Sequence, residues 1–227
     1  MTEFSRRQFL YLSAVSPFVY EFSALAAESE GNKSASSYPR TMAVLQDAFM
    51  VETLASRNYI GYTSKALSEA YPNIAYLFDA FSRSEQIHAG NYKRVFAALG
   101  HEVKTLETEI DVRDTKANLQ QAARNELKKI ATTYPDFIKE LEAETCDEAI
   151  MYCMYSWKSH QQHEAKVREI LKYSGMLFGR VSSKIEGLKL DFHVCRVCGS
   201  TLDEAPQAPC TICNRSMSNY FKVERPT

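Results

Sequence analysis

Glycine is scarce in this sequence, with only eight among 227 residues. The chain contains no Gly-rich loop of the type that binds nucleotide phosphates, and no G-x-S-x-G turn of the type that carries a hydrolase serine. The common nucleotide-binding and serine-hydrolase classes are therefore excluded.

An excess of positive charge is also missing. Lysine and arginine number 27 against 28 acidic residues, which gives a formal net charge of -1, and the sequence has no dense basic run. Because phosphate contacts require a basic surface, we predict that nucleic acid is not a partner. Hydrophobic residues make up 45% of the chain, enough to build one core and a small additional domain.

Residues 1–26 have the composition of an export signal. Arg6 and Arg7 stand before an apolar run from Phe9 to Tyr20, and the small residues of "ALAA", Ala24–Ala27, provide a cleavage site. The segment is similar to a twin-arginine signal. We therefore expect a periplasmic protein, with an ordinary N-terminus and a cytoplasmic protein as the alternative.

A membrane anchor is the less favoured interpretation of the same apolar run. About 20 apolar residues are needed to cross a bilayer, and Glu21 interrupts the run before that length is reached. Membrane attachment is expected only if the signal is not cleaved. The polar residues 27–40 are then expected to form a linker.

Four long helical patterns follow within residues 41–176. Their apolar residues recur at intervals of three and four, which is typical of helices that bury one face in a bundle. We predict an all-α four-helix bundle, followed by a linker over residues 177–191. The predicted helices are Thr41–Ala70, Pro72–Leu99, a third that begins near Asp114 or Thr115 and is interrupted or kinked at Pro135, and Asp147–Tyr173.

Each apolar stripe carries a carboxylate or an imidazole near its middle. A single such residue is most simply a solvated glutamate or a surface histidine, but an isolated buried carboxylate is costly unless a cation compensates it. Their concurrence on four stripes therefore favours a pair of metal ions, and carboxylate with imidazole suits iron or manganese. The residues are Glu52 in the first helix, Glu85 and His88 in the second, Glu126 in the third, and His160 and His163 in the fourth.

Residues 192–227 contain the most specific local pattern, two C-x-x-C pairs joined by a short loop with prolines. Paired C-x-x-C turns present four thiolates to one metal ion, and iron and zinc both fit such a site. Disulfides are the alternative. The four candidate ligands are Cys195, Cys198, Cys210 and Cys213.

Two further cysteines lie seven residues apart, Cys146 at the start of the predicted fourth helix and Cys153 within it. That spacing separates them by about 10 Å along the helix axis, too far for a disulfide between them. We expect both to be packing residues.

The bundle and the cysteine pairs together resemble the rubrerythrins, which join a ferritin-like di-iron bundle to a rubredoxin-like domain that holds iron on four cysteines. The resemblance covers about Thr41–Glu224. It rests on "VETLASRNYIGY", "SEQIHAGNY", "TTYPDF", "HQQHEAKV", the two C-x-x-C pairs and "YFKVE".

Position by position, the resemblance implies roles for individual residues. Tyr59 and Tyr134 would lie beside the metal centre, where they would hydrogen-bond ligand carboxylates or donate to a bound peroxide. The implied di-iron ligands are Glu52, Glu85, His88, Glu126 and His163.

The sequence departs from the family at two positions of the expected site. His160 stands where the family has a bridging glutamate, and Lys129 stands where a further terminal glutamate is usual. Imidazole cannot bridge two metals as a carboxylate does, and an ammonium has no lone pair to offer. We expect His160 to be a ligand in a site with more nitrogen and less negative charge, and a degenerate single-metal site stays open. Glu164 is a possible substitute ligand whose spacing does not match.

The resemblance implies a peroxidase of the rubrerythrin type. A di-iron centre would reduce hydrogen peroxide to water, and an external redox donor, as in an NADH peroxidase system, would return electrons through the four-cysteine iron. The family typically forms a homodimer or larger assembly in which the cysteine site of one chain approaches the bundle site of another. The alternatives are a ferritin-like protein that oxidises iron, or a non-enzymatic electron carrier with a degenerate bundle site.

Overall fold

The computed structural model describes residues 38–105, 109–173 and 177–227. The expected export signal, 1–26, lies outside the described residues, as does all but the end of the expected linker at 27–40. None of the helices in the described ranges combines the length and the hydropathy needed to cross a membrane.

The first two helices form a hairpin, α1 (Pro39–Ser68) and α2 (Pro72–Ala98). A proline begins each helix, where the missing N–H has no helical acceptor to satisfy. Beyond α2, Gly100 has φ of 83°, the left-handed conformation that commonly ends a helix. These bounds agree with the predicted helices to within two residues.

The third helix contains a change of hydrogen-bonding pattern. It begins as α3 (Thr115–Lys128), where the side chain of Asp114 accepts a 2.7 Å hydrogen bond from Ala117 N. A π-helical segment, Lys129–Thr133, follows, and the helix continues as α4 (Tyr134–Glu142). The predicted interruption is therefore a π segment that ends just before Pro135.

Proline explains why one carbonyl in that segment needs another donor. In the π pattern the carbonyl of Ile130 faces the nitrogen of Pro135, which carries no hydrogen. The indole Nε1 of Trp157 donates to this carbonyl instead, at 2.9 Å. A side chain of the fourth helix thus supports the π segment.

The fourth helix is divided in two. It runs as α5 (Asp147–Gln162) and α6 (Glu164–Tyr173), and His163 between them has φ of -107° and ψ of 2°. The sequence pattern predicts one continuous helix here. A further helix, α7 (Phe178–Glu186), lies within the residues expected to form a linker.

The C-terminal residues form a small antiparallel sheet of order β2-β1-β3. Its strands are β1 (His193–Cys195), β2 (Thr201–Leu202) and β3 (Tyr220–Lys222). The turns that follow β1 and precede β3 carry the two C-x-x-C pairs. This arrangement is the expected rubredoxin-like knuckle, and we call residues 192–227 the knuckle below.

The knuckle shares a hydrophobic core with the bundle. Phe192, Val194 and Val223 belong to the same buried cluster as residues of α1, α2 and α3. The hydroxyl of Tyr76 in α2 donates to the carbonyl of Val223 at 2.7 Å and accepts from the N–H of Phe192 at 3.0 Å. The knuckle is therefore fixed against α2.

Cys146 and Cys153 are buried free thiols in a second apolar cluster of the bundle. This cluster contains Tyr92, Tyr134 and Leu141 as well. The prediction that these two cysteines are packing residues is confirmed.

Candidate metal sites in the bundle and the knuckle

Four buried residues of the bundle come together as a possible metal site. Glu52 from α1, Glu85 and His88 from α2, and His160 from α5 each place one ligand atom within 4.8 Å of all the others. Glu85 Oε2 lies 2.8 Å from His88 Nδ1, and Glu52 Oε1 lies 3.3 Å from His160 Nε2. The three-residue spacing in α2 puts both of its ligands on one face, as predicted from the sequence.

Both histidines present one ring nitrogen to this cluster and use the other nitrogen elsewhere. His88 Nε2 lies 3.1 Å from the carbonyl oxygen of Cys198, which can only accept, so this nitrogen donates. His160 Nδ1 lies 2.6 Å from Glu126 Oε2. An acceptor on the outer nitrogen is the usual support for a histidine that ligates a metal through the inner one. The donor set thus fits a metal ion held by two nitrogens and two carboxylates.

Glu126 lies beside the four-residue cluster. Besides its contact with His160, its Oε1 accepts a 2.7 Å hydrogen bond from the hydroxyl of Tyr59. The structure therefore gives Glu126 a direct role in orienting His160. Direct ligation by Glu126, which the family resemblance implies, stays a prediction.

His163 does not join the same group of ligand atoms. It lies at the break between α5 and α6, and its ring centroid is 5.4 Å from that of Phe81. The break explains the difference from the sequence expectation, because a continuous helix would place His163 one turn beyond His160 on the same face. That His163 ligates a metal stays a prediction.

Lys129 places its ammonium between three buried carboxylates, two of the cluster and that of Glu126. Its Nζ atom lies 2.6 Å from Glu52 Oε2, 2.8 Å from Glu85 Oε1 and 3.5 Å from Glu126 Oε1. The residue is only 4% exposed. The sequence identifies Lys129 as a departure from the family. The position of Lys129 along the helix did not indicate that its ammonium would contact three carboxylates at once.

The lysine favours the ionised form of Glu52 and Glu126, whereas burial and the Glu52 charge outweigh it at Glu85 and raise the pKa of that carboxyl. Burial by itself would raise the pKa of Glu52, but the Lys129 charge and the hydrogen bond to His160 outweigh burial and hold that pKa well below its usual range. The pKa of Glu126 is lowered against its burial by the same two neighbours. Burial would lower the pKa of Lys129, and the surrounding carboxylates raise it instead. In the metal-free protein these groups form a buried network of ion pairs.

Two tyrosines lie at the edge of the cluster, as the resemblance implied. Tyr134 donates to Glu52 Oε1, and Tyr59 donates to Glu126 Oε1. Burial, together with the neighbouring carboxylates, raises the pKa of each phenol well above its usual range. Both hydroxyls therefore remain protonated and able to donate hydrogen bonds at neutral pH.

A chain of hydroxyl groups extends behind Tyr134. The hydroxyl of Tyr92 lies 3.2 Å from that of Tyr134 and 2.7 Å from Ser156 Oγ. Sequence reasoning did not assign Tyr92 or Ser156 to the site. Tyr92 follows Glu85 and His88 on the inward stripe of α2, and this position in the sequence could have indicated that Tyr92 lies near the site.

The four cysteines of the knuckle are gathered as predicted. Their sulfur atoms lie within 4.8 Å of one another, with separations of 3.7 Å for Cys195–Cys213 and 3.4 Å for Cys198–Cys210. A disulfide requires about 2.05 Å between sulfurs, whereas tetrahedral thiolates at a metal–sulfur distance of 2.3 Å lie about 3.8 Å apart. The arrangement therefore fits one iron or zinc ion, and all four thiols are free.

Direct hydrogen bonds join the knuckle to the bundle site. Besides the His88 contact, Ser84 Oγ donates to the carbonyl of Gly199 at 2.7 Å and Asn91 Nδ2 donates to the carbonyl of Val197 at 2.9 Å. A Cβ on Gly199 would lie 2.3 Å from His88 Nε2, and the φ of Gly199 is 76°. Only glycine allows this approach, and a single sequence gave no signal for it.

The same contacts place the two candidate metal sites together within one chain. The cysteine turn that contains Cys198 lies against His88, which reaches the carboxylate of Glu85 with its other ring nitrogen. Bringing the knuckle to the bundle site therefore does not require a second chain. The expected pairing of chains stays a prediction.

Sequence comparison places these features in a known group. The family model described as "Rubrerythrin" matches residues 43–171, more than half of the chain. Rubrerythrin-1 of Clostridium acetobutylicum is 28% identical over 193 residues, which cover 81% of this chain and 94% of the relative. Nigerythrin of Nitratidesulfovibrio vulgaris is 26% identical over 183 residues, which cover 79% of this chain and 85% of the relative.

Comparison with solved structures agrees on the fold. Nigerythrin in a mixed-valence state has a TM-score of 0.69 at 22% identity and covers 94% of this chain and 100% of its own. A bacterioferritin from Desulfovibrio desulfuricans with a diiron site has a TM-score of 0.61 at 18% identity, and the match covers 70% of this chain and 93% of that one. The fold is therefore a ferritin-like helical bundle with a small four-cysteine knuckle.

Proposed function

The chain belongs to the rubrerythrin family, and from this premise we propose that it is a non-haem iron oxidoreductase that reduces hydrogen peroxide to water. The observation that carries the proposal is the position of His88. One of its ring nitrogens meets the carboxylate of Glu85, and the other meets the carbonyl of Cys198. A buried carboxylate–histidine site and a four-thiolate site are thus joined through one side chain.

The residues that would hold iron differ in kind between the two sites. The knuckle offers four thiolates, and the bundle offers the two carboxylates and two imidazoles of the cluster described above. Bound iron would supply the electrons for the reaction. The bundle site is the candidate for peroxide, because its buried polar groups and tyrosine hydroxyls can orient a small polar molecule.

Reduction of one peroxide to two waters consumes two electrons and two protons. Tyr59 keeps its hydroxyl proton directed at Glu126, beside the cluster, and Tyr134 keeps its proton directed at Glu52, within the cluster. We assign to them the positioning of Glu126 and Glu52. A hydroxyl that rotates away from its carboxylate can donate its one hydrogen bond to the departing oxygen instead. The hydroxyls of Tyr92 and Ser156 behind Tyr134 extend this network away from the site.

The knuckle is assigned the entry of electrons from an external redox donor. The main-chain turn at Cys198 and Gly199 is hydrogen-bonded to α2, so an electron arriving at the cysteines has a short bonded route to His88. We further propose export to the periplasm through the twin-arginine signal, and assembly into a homodimer or larger oligomer. The chemistry described here requires neither.

The test is to mix the fully reduced, iron-loaded protein without oxygen with hydrogen peroxide, and separately with dioxygen. We expect each peroxide to consume two electrons and the reaction with dioxygen to be much slower. A protein that reacts with dioxygen in preference to peroxide would instead be a ferritin-like iron oxidase. A protein whose knuckle iron alone changes oxidation state, with the bundle inert to peroxide, would be an electron carrier.

A further inference from the structure

The two cluster carboxylates each use one oxygen to contact Lys129 and the other oxygen to face a histidine. The ammonium contacts Glu52 through Oε2 and Glu85 through Oε1. The other oxygens, Glu52 Oε1 and Glu85 Oε2, face the inner nitrogens of His160 and His88. One half of the site is therefore an ammonium held by oxygens, and the other half is a mixed oxygen and nitrogen donor set.

The charges of the buried groups limit how many cations this site can hold. With a metal ion bound, Glu52, Glu85 and Glu126 bring three negative charges, because metal binding deprotonates the carboxylates that hold it, and the Lys129 ammonium brings one positive charge. One divalent ion with neutral histidines leaves the cluster electrically neutral. A second divalent ion would leave two uncompensated positive charges in a buried site, which is strongly unfavourable.

We propose that the bundle binds a single metal ion, on Glu52, Glu85, His88 and His160, and that the ammonium of Lys129 takes the role of a second cation. The two-metal centre of the family does not fit this donor set. The three oxygen atoms that would help to hold a second ion are already bound to Nζ of Lys129. His160 cannot replace them, because its outer nitrogen is bound to Glu126.

The number of ions in the native protein tests the proposal directly. The inference rests on the proposed function for the identity of the metal, so the probe is ferrous iron, added without oxygen to the full chain. Crystals would be examined by anomalous diffraction at the iron edge. We expect one peak in the bundle, between His88 and His160, and one at the knuckle. Two bundle peaks, or none, would overturn the proposal.

A charge-reversing pair of variants tests the role of Lys129. Lys129→Glu replaces the ammonium with a carboxylate and frees the oxygens of Glu52, Glu85 and Glu126 for a second ion. Lys128→Glu makes the same change at the preceding, exposed residue. We expect iron per chain to rise by one ion in Lys129→Glu and to stay at the native value in Lys128→Glu. A folded Lys129→Glu protein with the native iron content would overturn the assignment.

These measurements separate the inference from the proposed function. Metal counts do not depend on peroxide turnover, so one bundle ion in a protein inert to peroxide would retain the inference and remove the function. Two bundle ions in a protein that reduces peroxide would remove the inference and retain the function. If Lys129→Glu does not fold, the anomalous peaks of the native protein still decide the number of ions.

Discussion

His88 Nε2 and the carbonyl oxygen of Cys198 lie 3.1 Å apart, so the bundle and the cysteine knuckle meet at a ligand of one candidate metal site and the backbone of the other. This contact fixes the tautomer of His88, because a carbonyl can only accept the hydrogen bond. It also couples the orientation of a bundle ligand to the position of the knuckle. Changes at this junction should therefore affect both sites.

Gly199→Ala should disturb the junction. The added Cβ would lie 2.3 Å from His88 Nε2, at a φ of 76° that a non-glycine residue adopts only with strain. We expect a loss of about 1–2 kcal/mol in the free energy of unfolding from the backbone conformation, and slower transfer of electrons from the knuckle to the bundle. Denaturant unfolding and rapid-mixing absorbance of the reduced protein with peroxide measure the two effects.

Gly179→Ala is the matched control for this substitution. A Cβ at Gly179 would meet no atom within 4 Å, and the residue lies in helix α7. The control should keep native electron-transfer rates and gain slightly in stability, since alanine favours a helix over glycine. An equal loss of electron-transfer rate in both variants would show that electrons do not pass from the knuckle to the bundle through the His88 junction.

Tyr134→Phe removes the hydroxyl that donates to Glu52. Because that hydrogen bond orients a cluster carboxylate, we expect peroxide turnover to fall about 10- to 100-fold. The KM for peroxide should change less than kcat if the hydroxyl acts during the reaction and not in binding. Steady-state kinetics with a saturating electron donor provide both constants.

Tyr62→Phe is the corresponding control, since Tyr62 is buried and packs edge-on against Tyr59. Burial raises the pKa of its phenol, and the charged groups that act on that pKa are Asp111 and Arg113. Native kcat in Tyr62→Phe with a reduced kcat in Tyr134→Phe is the expected pair of results. The same kcat in the two variants would contradict the role given to Tyr134.

Trp157→Phe should weaken the π segment, because it leaves the carbonyl of Ile130 without its 2.9 Å donor. Leaving a buried acceptor unsatisfied costs about 1–3 kcal/mol. Pro135→Ala in the same background restores an N–H that the Ile130 carbonyl can accept. We therefore expect the double variant to lose less stability than the sum of the two single variants, as measured by circular dichroism in urea. Strictly additive losses would argue against this hydrogen-bond account.

The stability of the metal-free protein should depend on pH through His160. Burial would lower its pKa, but the carboxylates of Glu126 and Glu85 outweigh burial and raise it to about 10, above the ordinary value of 6.5. A raised pKa contributes stability that is fully present below about pH 6.5 and is lost as the pH rises towards 10. Glu126, whose pKa is lowered, contributes stability in the opposite direction, which is lost as the pH falls below its ordinary value of 4.5.

Replacing His160 by glutamine should remove the loss of stability between about pH 6.5 and 10. Unfolding of the chelator-treated protein in urea across this range measures the effect. His101→Gln, at an exposed histidine, is the control and should keep the native pH dependence. An unchanged dependence in His160→Gln would mean that His160 is not protonated in the metal-free fold.

The periodic parts of the structure were predictable from the sequence because each is encoded locally. The three- and four-residue spacing gave α1 and α2 to within two residues, and the C-x-x-C pairs gave the knuckle. The same spacing correctly placed Glu52, Glu85, His88 and His160 on faces that meet. Helical periodicity determines which side chains face the core, and the metal ligands of a bundle are a special case of that rule.

The parts that could not be predicted depend on contacts between distant residues. The ammonium of Lys129 contacts Glu52 in α1 and Glu85 in α2, which are far from it in the chain. The break at His163 interrupts a pattern that reads as continuous helix. The approach of Gly199 to His88 joins residues that are more than a hundred positions apart. A single sequence carries no periodic signal for such contacts.

The most direct test of the account compares oxidation of the knuckle iron by peroxide in the native protein and in Glu85→Gln. Both reduced, iron-loaded proteins would be mixed with peroxide without oxygen, and the thiolate-to-iron absorbance of the knuckle followed in time. If peroxide reacts in the bundle and draws electrons through the knuckle, oxidation should be about 10-fold or more slower in Glu85→Gln. Equal rates would mean that peroxide oxidises the knuckle directly, and would contradict the proposed function.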